Sequence, residues 1–189
     1  MLDGIPLICG GCIENPAGGP DYCTYTDKCF KYDPIIDFWV ETGTMSGTKS
    51  SPAYDHTDSF GLVMANRGDP LEVTQDGINF ELLAEVPTDP GCLVILDEKN
   101  VLLAGGYVNG EVSQQAYIYN KDTNWWREVG NMTEPRLYHS CGIVPSASGT
   151  GYEVIVVGGS GIVSGGSVIE VNQSYEIFSI ETETFQPGK

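Results

Sequence analysis

The amino-acid sequence predicts an all-β fold built from short, recurring strands, and three observations lead to this prediction. Glycine and proline supply 24 and 11 of the 189 residues, above their combined ordinary usage of about 12%, which indicates many turns. Apolar residues do not keep helical spacing for more than about two turns anywhere in the chain. Short β-branched and aliphatic runs bounded by glycine recur instead.

Four of these runs end in a comparable way, and their endings define a repeat. The second run ends in Asn66-Arg67, whereas the other three end in a glycine pair. The glycine pairs are Gly10-Gly11, Gly105-Gly106 and Gly158-Gly159. The endings lie about 40 to 56 residues apart, which indicates a repeat of roughly 50 residues. Each glycine pair precedes two further strands that carry aromatic residues, namely Tyr32 and Trp39, Tyr119 and Trp126, and Phe178 and Phe185.

The order of strands in each unit resembles the kelch repeat. That resemblance covers nearly the whole chain, is weakest in the second unit, and implies a β-propeller made of four-stranded antiparallel blades. It implies blades at about 1–44, 45–86, 87–132 and 133–189. The glycine pairs should allow close backbone approach, and the aromatic pairs should be core residues that fill the space between blades.

The first blade is expected to lack one strand, because the sequence ahead of its second strand is only Met1 to Gly4. The chain then holds about fifteen strands, one short of four full blades, whereas kelch propellers usually have about five to seven blades. We therefore expect a fragment of a longer protein. The alternative is a four-bladed propeller whose missing strand comes from another segment.

The charge balance narrows the classes of partner. Acidic residues number 26 and basic residues 9, for a net charge of −17. Such a surface repels phosphate backbones and anionic lipids, so we expect no nucleic-acid partner. No apolar run approaches the roughly 20 residues of a membrane span. A basic or cation-bearing partner fits this acidity best.

The cysteines favour an oxidising compartment. Four of the six, Cys9, Cys12, Cys23 and Cys29, lie in the first thirty residues and are predicted to form disulfides, with all three connectivities open. Cys92 and Cys141 are predicted to be buried thiols, too far apart to bridge. Glycosylation sequons at Asn131 and Asn172 agree with an extracellular or secreted protein. The chain shows no signal peptide, and a cytoplasmic location is the alternative.

No catalytic residue, metal site or cofactor is predicted. His56 and His139 occupy different places in their units, unlike the metal-binding histidines of copper oxidases with similar propellers. The segment from Thr74 to Phe80 resembles the Asp-box turn of sialidase-like propellers, which is itself structural. The three arginines lie in separate units, so they offer no cluster for a substrate carboxylate.

A ligand is expected on the face that carries the connections from second to third strands and from fourth to first strands. The predicted irregular loops are 12–28, 107–115 and 160–172 in the first set, and 43–50, 84–90 and 130–138 in the second. Loops on a rigid scaffold commonly carry binding specificity. The candidate contact residues, chosen because Tyr and Arg dominate interface energetics, are Tyr22, Tyr107, Asn109, Arg136 and Tyr138.

The sequence therefore predicts a non-catalytic protein- or glycan-binding module. Two alternatives stay open. One is a fragment of a propeller enzyme, of oxidase or sialidase type, whose catalytic residues lie outside this chain. The other is a cytosolic kelch adaptor, which would carry free thiols instead of disulfides.

Overall fold

The computed structural model describes residues 4–14, 23–48, 52–66, 68–162 and 169–188. Within these ranges every helix-or-strand element is a β-strand, and the strands pair antiparallel. The predicted all-β class with four-stranded antiparallel blades is confirmed. The chain divides into two compact units, Met1–Glu85 (unit 1) and Val86–Lys189 (unit 2).

Unit 1 holds two sheets and a short ribbon. Its strands are β1 (Leu7–Cys9), β2 (Cys12–Glu14), β3 (Cys23–Tyr25), β4 (Lys28–Asp33), β5 (Phe38–Thr44), β6 (Ala53–Thr57), β7 (Gly61–Ala65), β8 (Pro70–Thr74) and β9 (Glu81–Glu85). Sheet 1 has the order β1-β4-β5, and sheet 2 has the order β6-β7-β8-β9. Strands β2 and β3 pair as ribbon 1. Among the described strands, sheet 1 has three strands and contains no counterpart of β6, the first strand of sheet 2.

Unit 2 holds two four-stranded sheets and a second ribbon. Its strands are β10 (Asp89–Ile95), β11 (Asn100–Val108), β12 (Glu111–Asn120), β13 (Trp125–Glu128), β14 (Ser140–Pro145), β15 (Tyr152–Val157), β16 (Ser160–Ile162), β17 (Ile169–Val171), β18 (Tyr175–Ser179) and β19 (Thr184–Pro187). Sheet 3 has the order β10-β11-β12-β13, and sheet 4 has the order β14-β15-β18-β19. Strands β16 and β17 pair as ribbon 4.

The aromatic pairs occupy the same cross-strand position in three sheets. Tyr32 lies opposite Trp39, Tyr119 opposite Trp126, and Phe178 opposite Phe185. The ring centroids are 5.5, 5.3 and 4.8 Å apart, and the ring planes are tilted in all three pairs. The turn after the first member is also repeated, because Asp37, Asn124 and Glu183 each adopt a positive φ of 49 to 55°.

The expectation that all six aromatic residues are core residues is wrong for Trp39. The Trp39 side chain is 37% exposed, whereas Trp126 is only 8% exposed. Sheet 1 packs against sheet 2 through its opposite face, where Cys29 lies in a cluster with Met64. The face that carries Trp39 therefore points away from sheet 2.

Sheets 3 and 4 enclose the larger cluster of buried residues. Sheet 3 contributes Leu102, Ala104 and Ile118, and sheet 4 contributes Val154, Val156, Phe178 and Phe185 among others. Burying apolar side chains of this kind stabilises a fold by about 25 cal/mol per Å² removed from water. This cluster therefore fixes how the two sheets of unit 2 pack together.

The prediction that Cys92 and Cys141 are buried thiols is wrong, because they form a disulfide. Their Cα atoms are 6.0 Å apart, inside the range that a disulfide needs. Cys92 lies opposite Ala104 on β11, and Cys141 lies opposite Val156 on β15. Since Ala104 and Val156 line the same buried cluster, the two sulfur atoms face each other between the first strands of sheets 3 and 4.

The structure also selects among the cysteine pairings near the N-terminus. Cys9 and Cys29 form a disulfide with a Cα–Cα distance of 4.1 Å. Cys12 is also disulfide-bonded, and no described cysteine is free. Of the three connectivities that the sequence left open, only the one containing the Cys9–Cys29 bond agrees with the structure.

Candidate interaction face

The described residues that follow each glycine pair form a two-stranded ribbon, whereas irregular loops were predicted for 12–28, 107–115 and 160–172. Residues 15–22 and 163–168 of these predicted loops lie outside the described residues. Ribbons 1 and 4 are β2–β3 and β16–β17. In sheet 3, β11 and β12 continue past an irregularity after Ala104 and pair as far as Val108 and Glu111. Asn109 and Gly110 close this hairpin with φ values of 51° and 92°, as in the tight turns that match strand twist. In the described residues, these connections are therefore paired strands and not irregular loops.

The connection between sheets 3 and 4 runs between the end of the β11–β12 hairpin and ribbon 4. The Gly106 N–H donates to the Arg136 carbonyl at 2.8 Å, and the Arg136 N–H donates to the Ser113 carbonyl at 3.1 Å. One residue later, Leu137 and Ser160 exchange two backbone hydrogen bonds of 2.9 and 2.8 Å. We define the interaction face as residues 106–113, the connection 130–138, and ribbon 4. Its parts are held together by main-chain hydrogen bonds.

Arg136 is a buried structural residue, so its predicted role as a contact residue is wrong. Its side chain is fully buried, and every guanidinium nitrogen is hydrogen-bonded. Nε donates to Glu176 Oε1 at 3.1 Å, Nη1 donates to the Gly158 carbonyl at 2.8 Å, and Nη2 donates to Ser174 Oγ at 2.6 Å. A guanidinium with its donors committed inside the protein cannot contact a partner.

Buried glutamates anchor the connections between sheets, and sequence reasoning missed them. Glu176 accepts the Thr133 N–H at 2.7 Å, and Glu72 accepts the Ser46 N–H at 3.1 Å. The preceding residues, Met132 and Met45, are both buried in the clusters of their units. The equivalence of the two positions appears only when strands are aligned in space, because the chain surrounding each glutamate differs in sequence.

Tyr138 is the most prominent side chain of the interaction face. It is 79% exposed and adopts a φ of 56°, which is uncommon for a residue with a bulky side chain. Both of its neighbours along the chain are fixed in place. Leu137 is held by its backbone hydrogen bonds to Ser160, and His139 is buried. Asn109 is exposed at the tip of its hairpin, and Tyr107 is half-buried beside it. The fifth candidate, Tyr22, lies outside the described residues.

His139 is buried directly beneath this face. Neither ring nitrogen has a hydrogen-bond partner, and the ring lies so close to Gly105 that a Cβ there would be 2.6 Å from Cε1. Burial first, and the nearby Arg136 charge second, lower the pKa of His139 to about 4. The Glu176 carboxylate and the carbonyls of Ala104 and Arg136 partly oppose this shift. The imidazole is therefore neutral at pH 7.

The two glycosylation candidates differ in accessibility. Asn131 is exposed, beside the buried Met132. Asn172 is half-buried, and its Oδ1 accepts a hydrogen bond from Ser174 Oγ at 3.0 Å. Ser174 in turn belongs to the Arg136 network. Asn131 is accordingly the better placed of the two predicted acceptors.

The Thr74 to Phe80 segment is a hydrogen-bonded turn between β8 and β9. Asp76 Oδ1 accepts the N–H groups of Ile78 and Asn79, each at 2.8 Å. These backbone bonds, above all that from Asn79, hold the pKa of Asp76 well below its ordinary value. Asp76 thus closes a turn. In the part of the chain that the structure describes, no group of three or more His, Cys, Asp or Glu residues is arranged to hold a metal ion.

Comparison with known proteins gives one informative similarity. The chain is similar to an F-box/kelch-repeat protein of Arabidopsis thaliana, with 27% identity over 94 residues. The match covers 50% of this chain and 24% of the relative, so it spans about a quarter of that protein's length. No protein-family model matches the chain. The similarity, together with the four-stranded antiparallel sheets, supports kelch-type repeats.

Where membranes are concerned, the described residues contain no helix that is long and apolar enough to cross one.

Proposed function

We propose that the protein is a non-catalytic, protein-binding module of the β-propeller type that engages its ligand through the interaction face of unit 2. The observation that carries this proposal is the exposed Tyr138 side chain, which is mounted on a connection anchored by the buried Arg136 and Glu176. A tyrosine held in this way loses little side-chain entropy on binding. Tyrosines at such positions commonly contribute much of the binding energy in protein interfaces.

The rest of the face suits a protein ligand. Asn109 offers an adaptable hydrogen-bonding side chain at the tip of a rigid hairpin, and Tyr107 adds a second aromatic ring. The similar kelch-repeat protein supports the same class of function, although the match covers only half of this chain. The net charge of −17 favours a ligand with basic residues around its contact surface.

We propose a non-catalytic protein because its buried and turn-forming polar residues have structural roles. Arg136, Glu176 and Asp76 are committed to structural hydrogen bonds. His139, although unpaired, lies buried between glycines, where a substrate has no room. We assign the described residues no reaction.

We also propose that the protein resides in an oxidising, extracellular compartment, because it contains disulfides. The Cys9–Cys29 and Cys92–Cys141 bonds are of a kind that persists outside the reducing cytosol. Alkylation of the native protein from its source, followed by intact mass measurement, tests the assignment. We expect no alkylated cysteine, and six alkylated cysteines in the native protein would place it in a reducing compartment.

Site-specific photo-crosslinking tests the binding face. A photoreactive phenylalanine analogue is introduced at Tyr138 and, in a matched control, at Tyr152, which is 65% exposed at the start of β15. Tyr152 lies beside the hairpin that joins β14 and β15, one of the connections outside the interaction face. We expect discrete protein adducts at position 138 only. Equal adducts at both positions, or adducts only with glycans, would overturn the proposal.

A further inference from the structure

We propose that two exposed isoleucines of unit 1, Ile35 and Ile36, insert into an apolar pocket of a partner protein, and that basic residues border this pocket. The two residues form the tip of the turn between β4 and β5, and we call them the apolar tip. Their side chains are 91% and 60% exposed. Phe38, at the start of β5, adds a further apolar side chain that is 66% exposed. Neighbouring exposed apolar residues commonly mark interaction sites.

The same turn joins the last two strands of sheets 1, 3 and 4. In each sheet a residue with positive φ closes the turn, namely Asp37, Asn124 and Glu183. The residue before it donates its N–H to the polar side chain at the end of the strand that precedes the turn. The three bonds are Ile36 to Asp33 Oδ1 at 3.4 Å, Thr123 to Asn120 Oδ1 at 3.1 Å, and Thr182 to Ser179 Oγ at 3.3 Å. The three turns can therefore be compared position by position.

Of these three turns, only the turn of sheet 1 has an apolar tip. The corresponding residues are Asp122 and Thr123 in sheet 3, and Glu181 and Thr182 in sheet 4. Because the turn forms with these polar residues, its fold does not require Ile35 and Ile36. Apolar surface gains about 25 cal/mol per Å² when it is removed from water. The two isoleucines therefore offer binding energy that the fold itself does not use.

A further sheet packed against sheet 1 would leave the apolar tip exposed. Sheet 4 shows this, because sheet 3 packs against it and also contacts its turn, where the Gly130 N–H donates to the Glu183 carbonyl at 3.1 Å. Glu181 and Thr182 are nevertheless exposed. The apolar tip occupies the same two positions, so its exposure is a property of the turn.

Hydrogen bonds hold the turn of sheet 1 in one conformation. Asp33 Oδ1 accepts the Ile35 N–H at 2.8 Å, and the Tyr32 hydroxyl donates to Asp37 Oδ1. A tip that is fixed before binding loses little conformational entropy on association. Because the tip is convex and narrow, it fits a concave apolar pocket.

The charges at the base of the turn determine the chemistry of the partner. Asp33 and Asp37 lie on either side of the tip, whereas sheet 3 has the neutral Asn120 and Asn124 at these positions. The two carboxylates repel the anionic surface of a membrane. A second copy of this chain would bring a further charge of −17. A protein pocket bordered by basic residues complements both the tip and its carboxylates.

Competition photo-crosslinking tests this proposal. A photoreactive aliphatic amino acid replaces Ile35 and, in a matched control protein, replaces Asp122, the corresponding residue of sheet 3. Both proteins are irradiated in an extract of their natural source. We expect a discrete protein adduct at position 35 that is absent at position 122. If position 35 gives no such adduct, the proposal is overturned.

Unlabelled competitors show whether the isoleucines carry the binding. The variant Ile35→Asp/Ile36→Thr has the tip of sheet 3 and should keep the wild-type unfolding midpoint in denaturant. Because it buries no isoleucine in the pocket, suppressing the adduct should require about thirtyfold more of it than of the wild-type protein. Both competitors carry the same interaction face in unit 2. Equal competition would therefore overturn this proposal without touching the proposed function.

A second variant tests the charge of the pocket border. Asp33→Asn/Asp37→Asn introduces the amides of sheet 3, which make the corresponding hydrogen bonds there. We expect it to compete about threefold to tenfold more weakly than the wild-type protein, and equal or stronger competition would overturn a basic border. Phosphatidylcholine vesicles that bind the wild-type protein but not Ile35→Asp/Ile36→Thr would instead assign the tip to a membrane. A dimer that this variant abolishes would assign it to a second copy of the chain, and either result would overturn the proposal.

Discussion

Arg136 and Glu176 show how a single ion pair can determine the shape of a surface without being part of it. Both side chains are withdrawn from water, and their charges are balanced by each other, by Ser174 and by main-chain groups. Burying two charges costs several kcal/mol, which only good geometry and further hydrogen bonds offset. These hydrogen bonds hold residues 133–138 in one fixed path, and that path places Tyr138 at the surface.

Removing either partner of this pair should destabilise unit 2 strongly. Arg136→Ala leaves the Glu176 carboxylate buried without its cation, so we expect a loss of about 3–5 kcal/mol in the free energy of unfolding. Denaturant titration monitored by tryptophan fluorescence measures it. The matched control is Arg127→Ala, which breaks the exposed pair with Glu183 and should cost less than about 1 kcal/mol. Equal losses in the two variants would contradict this assignment.

His139 should make the stability of the protein depend on pH. Its pKa is about 4 when folded, against an ordinary value of 6.5, so the unfolded chain binds more protons between these values. Stability is therefore full above pH 6.5 and falls as the pH drops towards 4. The expected loss is about 3 kcal/mol, from roughly 1.4 kcal/mol per pKa unit.

The variant His139→Asn isolates this contribution. The carboxyl groups titrate alike in both proteins, so the difference between their unfolding free energies at pH 7.5 and at pH 4.5 reports the histidine alone. We expect the wild-type protein to lose more stability than the variant on acidification. Parallel pH profiles would show that His139 does not remain neutral in the folded protein.

At the level of elements, the glycine pair is where a strand leaves its sheet and enters a ribbon. Gly105 and Gly106 both have positive φ, at 63° and 102°, as do Gly158 and Gly159 at 68° and 89°. A side chain at Gly106 would overlap the Asp89 carbonyl, and one at Gly105 would meet the Arg136 carbonyl at 2.7 Å. Gly105 and Gly106 therefore require glycine both for backbone conformation and for space.

Alanine substitutions should separate these two requirements. Gly106→Ala combines strain with overlap, and we expect it to lower the free energy of unfolding by about 3 kcal/mol or more. Gly149→Ala has positive φ but open space and should cost about 1 kcal/mol. Gly142→Ala has neither constraint and should change stability by less than about 0.5 kcal/mol. A different ranking in denaturant titration would contradict the account of the repeat.

The two resolved disulfides should contribute unequally to stability. Cys92–Cys141 closes a loop with a sequence separation of 49, and Cys9–Cys29 one of 20. Chain-entropy arguments assign about 4 kcal/mol to the longer loop and about 3 kcal/mol to the shorter. Denaturant titrations of Cys92→Ser/Cys141→Ser and Cys9→Ser/Cys29→Ser, each a double variant, should show the larger loss for the first. The reverse order would argue against the Cys92–Cys141 pairing.

Sequence reasoning reached the repeat because its signals are local. Gly105-Gly106 and the Tyr119–Trp126 pair follow from residues close together in the chain, and the structure places them as repeated features. The buried role of Arg136 depends on Glu176, forty residues away, and the Cys92–Cys141 bond joins two different sheets. Neither could be predicted from residues that are neighbours in the chain. The same applies to the exposure of Trp39, which depends on which face of sheet 1 is covered.

At the scale of the whole molecule, the proposed function separates two roles. The sheets provide stability, and the connections between their strands provide the binding surface. The sheets bury the apolar residues, while the acidic residues give the chain its charge of −17. Such a charge attracts cationic partners over a distance, and salt screens this attraction. In the proposed function, short-range recognition then depends on exposed side chains on a rigid scaffold, with Tyr138 first among them.

The affinity of the Tyr138→Ala variant for the partner captured by crosslinking tests this account most directly. We expect Tyr138→Ala to raise the Kd by about thirtyfold or more, the effect of losing a hot-spot residue worth at least about 2 kcal/mol. Tyr152→Ala should leave the Kd unchanged, and unchanged unfolding curves for both variants would establish that the fold is intact. An unaltered Kd for Tyr138→Ala would contradict the claim that the interaction face of unit 2 binds the ligand.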